Sequence, residues 1–321
     1  MPDLGIGGQA VIEGVMMRSK DRVATAVRIP SGEILVKAEE YISLAKRNKF
    51  LGLPIIRGVI TFFEMLILGI KALNLSADIA LREIEKSEAA ASGRQYIEKE
   101  KKSSSLVIIG TIVVALGLGI LIFFFLPLFI SSLLNIERDA IGFNLVAGTI
   151  RVSLFLIFVW GISLFGEFKR VFQYHGAEHK SIFAYENGSE LTPESVTGYS
   201  TFHPRCGTSF ILIVALLAIL VYSSSDTIYA LITGFPPVLL KRFSLHFLLL
   251  PLVAGSAYEL LKLSGRTRDN KLTKILIQPG LWLQRITTKE PTTGQMEVAI
   301  VALETALRIT DSKLAVKKTC L

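Results

Sequence analysis

LVIIGTIVVALGLGILIFFFLPLFISSLL, from Leu106 to Leu134, is a run of 29 residues without one charged side chain. At ~1.5 Å per helical residue it is longer than a ~30 Å hydrocarbon core, so it is expected to tilt or to kink, with Pro127 the natural place. Three more apolar stretches follow. Ile141–Phe165 carries a single charge, Arg151. Thr208–Tyr222, extended by Ser223, Ser224 and Ser225, is the shortest. Phe243–Leu263 carries His246, Pro251 and Glu259. The expected fold class is an α-helical membrane protein with about four transmembrane helices.

Composition agrees. The chain has 321 residues, 51% hydrophobic and 19% charged. Soluble domains carry ~25% charged residues, and here the apolar residues fall in blocks. That excludes intrinsic disorder and argues against a purely soluble globule. The net charge of +8 needs no nucleic-acid partner, because anionic lipid and the positive-inside bias already favour Lys and Arg. Two cysteines, Cys206 and Cys320, imply no disulfide framework. Met1–Gly5 has no basic region leading into an apolar core, so no signal peptide is expected, and Cys320 is misplaced for prenylation.

Pro54–Ala80 is a fifth apolar segment of a different kind. Arg57, Glu64, Lys71 and Asp78 recur every seven residues, joined by Thr61 and Asn74. On a helix they form one polar stripe, which reads as an amphipathic or half-embedded helix. Loop charge supports that reading. With four spans, segments 81–105, 166–207 and 262–289 share one side and hold 17 Lys or Arg, against 3 in 135–140 and 223–242. Both termini are then expected in the cytoplasm.

Outside the spans, Gln9–Met17 reads as one strand, and Arg22–Ile29 with Glu33–Tyr41 as a hairpin around Pro30-Ser31-Gly32. Gln295–Arg308 reads as a helix with Glu297 and Glu304 on one face, and Lys313–Lys317 as a short strand. The chain thus divides into a β-rich segment 1–52, an amphipathic helix and linker 53–105, two spans in 106–165, a cytoplasmic His-rich loop 166–207, two spans in 208–263 and a cytoplasmic tail 264–321. The N-terminal hairpin and the C-terminal tail are expected to form one small cytoplasmic α+β part.

Three of the four histidines lie between positions 175 and 203. His175 and His179 are spaced i, i+4, so a helix sets both imidazoles on one face, able to share a metal. His175-Gly176-Ala177-Glu178-His179 is the His-x-x-Glu-His order in which the Glu serves as general base. Gly176 weakens a helix by ~1 kcal/mol relative to Ala. His203 and Cys206 offer two further zinc ligands just before the third span. Three protein ligands leave a catalytic site open, whereas all four close it into a structural one. Glu259, near the inner end of the fourth span, is a costly carboxylate that needs Arg151, Lys262 or the His cluster as partner. His246 sits near the outer end of that span and is left out of the cluster. Gly5, Gly7 and Ala10 fit a dinucleotide fingerprint only nominally, because no strand precedes them. Glu13 and Arg18 are polar residues in an apolar stretch, placed to reach the site if the hairpin docks beneath it. Cys206 with His203 is also a thiol–base pair, but Pro204 and the lack of an orienting group disfavour it.

GQAVIEGVMMR at 8–18, preceded by Gly7, together with YHGAEHK at 174–180, HPRCGTSF at 203–210, Tyr258-Glu259 and PGLWLQRITTKEP at 279–291, resembles the YqhQ-like bacterial family, domain-of-unknown-function family 1385. The resemblance covers nearly the whole chain. It implies a multi-pass membrane protein and a metal-dependent enzyme of unknown substrate, with the metal at His175, Glu178, His179, His203 and Cys206.

The expected function is metal-assisted hydrolysis, zinc being the expected cofactor, of a lipid-linked or membrane-protein substrate at the inner leaflet. Glu178 is the expected base, His175, His179, His203 and Cys206 the ligands, and Glu259, Arg151, Glu13 and Arg18 supporting groups. A non-enzymatic scaffold with a structural metal is the main alternative. A transporter is disfavoured because no repeat or pair of broken helices is visible.

Overall fold

The computed structural model describes residues 5–94, 105–134, 139–266, 270–309 and 318–320. Strands β1 Gly7–Val11, β2 Gly14–Arg18, β3 Arg22–Arg28 and β4 Ile34–Glu40 form an antiparallel meander in chain order. The run expected as one strand, Gln9–Met17, is two. Ile12 and Glu13 turn the chain, and Val11 faces Gly14. Glu13 takes φ +52°, and Gly14 is required because a Cβ there would overlap the Ala26 carbonyl oxygen on β3. The Pro30-Ser31-Gly32 turn joins β3 to β4, with Gly32 at φ +87°. Strand β5, Lys318–Cys320, adds parallel to β4. The strand expected at Lys313–Lys317 lies outside the described residues.

Side chains alternate across the sheet and build two cores. On one face Val15, Met17, Ala24, Ala26, Ile34 and Val36 meet the C-terminal helix and the His-bearing helix. On the other, Val11, Met16 and Val27 meet Leu68, Ala72, Leu75 and Ile79. These four recur at i, i+4, i+7 and i+11 on one helix of 36 residues, Ile56–Ala91. After a one-turn helix α1, Leu44–Arg47, this long helix is α2. Among the described residues only the first half of its seven-residue stripe finds partners; Lys71, Asn74 and Asp78 are exposed. Tyr41 and Ser43 hydroxyls donate to Glu64 at 2.7 Å, and the Leu44 N–H does so at 2.6 Å. Phe63, Ile67, Leu81 and Ile84 point the other way and are exposed.

The uncharged run opens as helix α3, Ser105–Ile120, passes through a wide π turn at Leu121–Phe125 and continues as α4, Leu126–Ser132. The helix departs from α geometry just before Pro127, where the sequence placed a kink, because proline cannot donate to the carbonyl of Phe123. Helix α5, Ala140–Ser163, follows. The segment read as a His-rich loop, 166–207, is mostly helical: α6 Gly166–Glu186 and a short α7 Pro193–Thr197. The third span is longer than its hydropathy suggested. Helix α8 runs Gly207–Thr233, through the three serines and Asp226, and α9 is Leu239–Arg266. Residues 223–242 are therefore not a loop; only 234–238 connect the two helices. Asp226 and Arg242 neutralise each other inside the bundle, and for that reason charge did not end either helix. Helix α2 crosses α9 where Gly58 meets Gly255; a Cβ at 58 would sit 2.7 Å from the Gly255 oxygen.

Helix α10, Lys271–Thr287, carries Pro279 in its interior, and α11, Thr293–Leu307, starts from a capping box between Thr292 and Gln295. Val298 to Leu303 are wholly buried, since α11 lies between the sheet and α6. Glu297 escapes that burial by pairing with Arg28 of β3. Among the described residues five helices are long and apolar enough to cross a membrane: α2, the α3–α4 run, α5, α8 and α9. Leu231 is 80% exposed and Leu248 76%, an apolar surface that water does not favour.

Candidate metal centre

Helix α6 carries His175 and His179 in one continuous turn despite Gly176 between them. The glycine is there for space. The chain between α10 and α11 crosses α6 at this point, and any Cβ at 176 would overlap the Lys289 carbonyl oxygen. The Lys289 N–H donates to the Phe172 oxygen at 2.9 Å. A residue that costs helix stability thus permits a close crossing that brings two backbone segments to the histidines.

Each imidazole is held by one of those segments. His175 Nδ1 lies 2.8 Å from the Thr287 oxygen at the end of α10. His179 Nδ1 lies 2.5 Å from the Thr201 oxygen. A carbonyl only accepts, so Nδ1 carries the proton in both rings and Nε2 is left with its lone pair. This is the arrangement that readies an imidazole as a metal ligand. His175 Nε2 lies 3.2 Å from Cys206 Sγ, the residue that opens α8. One donor atom from each of His175, His179 and Cys206 falls within 4.8 Å of the others. Burial, with repulsion from His175 and His203, pulls the His179 pKa below its ordinary value and keeps that ring neutral, while Cys206 pulls it the other way.

His203 stands beside this trio rather than in it. Its ring is 5.6 Å from that of His179 and 4.5 Å from that of Phe183, centroid to centroid. Nδ1 accepts the Arg205 N–H at 3.2 Å, and Nε2 is 3.8 Å from Glu186, which also pairs with Arg205. The Gln284 amide clamps the His203 backbone, accepting at 2.8 Å and donating at 2.9 Å.

Glu178 is buried and turned toward the sheet. It accepts a hydrogen bond from the Gly8 N–H, and its Cγ would be 2.9 Å from a Cβ at Gly8. Burial pushes its carboxyl above the usual range; His175, His203 and the Gly8 N–H pull the other way. The glycine pair Gly7-Gly8 belongs to an edge strand, not to a phosphate loop.

The remaining candidates serve elsewhere. Glu259 forms a two-pronged pair with Arg57 of α2, with Nε to Oε1 at 2.7 Å. Arg151 donates from Nε to the Phe123 oxygen at 2.9 Å, the carbonyl that Pro127 leaves without its helical donor. Glu13 binds Arg170 of α6 at 2.6 Å and accepts from the Tyr174 hydroxyl at 3.3 Å. That anchors the β1–β2 turn two turns of helix before the histidines. Arg18 lies over the Tyr41 ring, 5.3 Å from its centroid, and donates to Met65 Sδ at 3.3 Å.

Sequence reasoning missed the groups that orient the trio, Thr287, Thr201 and Gln284, because backbone carbonyls leave no signal in side-chain chemistry. It also missed a second polar cluster inside the bundle. Asp226 forms an ion pair with Arg242, Nε at 2.8 Å, and accepts from Asn144 Nδ2 at 2.8 Å, and His246 Nε2 lies 3.0 Å from it. A signal was present: Arg242 and His246 share a helical face at i, i+4.

Residues 53–309 match the model of a family described as "Protein of unknown function (DUF1385)". The "Uncharacterized protein YqhQ" of Bacillus subtilis (strain 168) is 34% identical over 319 residues, covering 94% of this chain and 92% of that protein. No solved structure matches significantly. With most of its length inside the family model and a relative that aligns from end to end, the chain belongs to the DUF1385 family of proteins of unknown function.

Proposed function

We propose that the chain is a bacterial inner-membrane protein that holds zinc on His175, His179 and Cys206 at the cytoplasmic face and hydrolyses a lipid-linked or membrane-embedded substrate there. The observation that carries this reading is the locking of both imidazoles by backbone carbonyls, so that two Nε2 atoms and a thiol converge. Two nitrogens and a sulfur suit zinc, and three protein ligands are the count of an open, catalytic site. Zinc, when bound, supplies Lewis acidity. The chain supplies the rest. The Thr287 and Thr201 carbonyls orient the rings, and the Gln284 amide fixes the loop that delivers Cys206. Glu178, buried within electrostatic reach of His175 and His203, is the group that would hold and move the proton.

The packing of α2 supports a placement in the membrane. Leu68 to Ile79 are occupied by the sheet, and an open sheet with unpaired edges is not tolerated in hydrocarbon. This packing supports the reading in which α2 lies along the surface, four helices span, and the basic 81–105, 166–207 and 262–289 segments face the cytoplasm with both termini.

The test is the metal content of detergent-purified protein. About one zinc per chain is expected for wild type and none for His175→Ala/His179→Ala; metal-free wild type would overturn the site. Glu178→Gln is expected to keep zinc and lose activity. One observation favours a second reading, a scaffold with a structural metal: Glu178 also ties α6 to β1 through Gly8. On that reading Glu178→Gln retains both zinc and function.

A further inference from the structure

A partly open cavity of about 460 Å³ lies between α5, α8 and α10. Pro279, Trp282, Leu283 and Ile286 line it, spaced i, i+3, i+4 and i+7, so one face of α10 closes it. Gln284 and Thr287, on the other face, serve the histidines. The remaining wall comes from α5, α8 and the π turn, and it is apolar except at one end.

That end is Arg151 and Tyr222. The Arg151 guanidinium spends Nε on the Phe123 carbonyl and lies 5.1 Å from the Phe124 ring centroid and 5.9 Å from that of Tyr222. Its Nη2 and the Tyr222 hydroxyl are both buried, and neither has a hydrogen-bond partner among the described residues. No carboxylate among the described residues pairs with this guanidinium. Tyr222 cannot turn away, because its ring stacks on His246 at 4.1 Å with 5° between the planes. Two unmet donors in an apolar chamber are costly unless something accepts from them. One of the two carries a full positive charge, which selects an anion over a neutral acceptor. The apolar wall selects a hydrocarbon body, and the size falls in the range of small-molecule sites.

We propose that this cavity binds one molecule of a single-chain anionic amphiphile. An oxygen of its carboxylate or phosphate accepts from Arg151 Nη2 and Tyr222 Oη, and its chain lies along α5, α8 and α10. The site is independent of any metal at His175.

The test uses the full chain, delipidated in neutral detergent. Three probes of equal chain length are titrated: hexadecanoic acid, hexadecyl phosphate and hexadecanol. Wild type is expected to favour an anionic probe over the alcohol by roughly 10- to 100-fold, the scale of a charged hydrogen bond. The tighter of the two anions identifies the headgroup. Arg151→Met should erase that preference while retaining binding of the alcohol. Tyr222→Phe keeps the ring and its stacking, so it guards against misfolding as an explanation; it should weaken anion binding roughly 3- to 10-fold. Equal binding of acid, phosphate and alcohol by wild type would overturn the proposal. So would an anion preference untouched by Tyr222→Phe and Arg151→Met, or no binding of any probe.

Discussion

The four histidines of this chain fall into two clusters held in opposite ways. At the proposed metal centre, His175 and His179 are gripped through Nδ1 by backbone carbonyls, which are neutral and leave Nε2 open toward a thiol. Inside the bundle, His246 is gripped by a carboxylate, Asp226, that Arg242 and Asn144 already share. The first grip prepares a ligand. The second balances charge in a setting where an unpaired ion is expensive. The lesson is that the partner of an imidazole, more than its burial, separates a binding group from a structural one; His179 and His246 are equally hidden.

Breaking each grip should fail differently. The largest effect is all-or-none: zinc falls from about one per chain to none in His175→Ala/His179→Ala, read by metal analysis, while thermal unfolding still shows a cooperative transition. Next, Asp226→Leu strands Arg242 without its counter-ion and should cost about 3–5 kcal/mol, read from unfolding in detergent. The double change Asp226→Leu/Arg242→Met should recover most of that loss. If Asp226→Leu unfolds like wild type, the bundle cluster does not balance charge and the contrast collapses. Third, Gly176→Ala forces α6 away from the Lys289 carbonyl. A cost of about 1–3 kcal/mol together with weaker zinc retention would sharpen the comparison, since the crossing also delivers the Thr287 carbonyl.

The smallest effect concerns another group held by a carboxylate, Tyr41 on Glu64. Burial, then that carboxylate, pushes its pKa up to about 12 from 10.0. The folded state keeps the proton longer than the unfolded one. The stabilisation from this contact is therefore intact below pH ~10 and is lost as pH rises toward the folded value. Absorbance titration should find one phenol late, and Glu64→Gln should bring it back toward ~10.

Much of the centre was legible in advance. The i, i+4 spacing of His175 and His179 needed only α6 to be a helix, and Cys206 was recognisable as a soft ligand. His203 looked equivalent on paper, yet the fold turns its Nδ1 to the Arg205 N–H and its Nε2 to Glu186. Gly176 was read as a helix breaker because propensity counts only the helix's own backbone; the crossing segment 113 residues later in sequence reversed its meaning. The third span ended too early on paper for a similar reason. Ser223 to Asp226 look like a loop until Arg242 and Asn144 arrive from other helices to partner Asp226, while Ser224 and Ser225 bond back to carbonyls of their own helix.

The sequence by itself determined the apolar helices, the break in α geometry near Pro127, the β3–β4 hairpin and the helix face that bears the histidines. Each depends on neighbours a few residues away or on hydrophobic period, which local physics sets. Tertiary structure alone decided which carbonyls hold the imidazoles, that Glu259 pairs with Arg57, and that Arg151 repairs the bond Pro127 forfeits. Those are pairings across long stretches of chain, chosen because buried polar groups must find partners wherever the packing brings one.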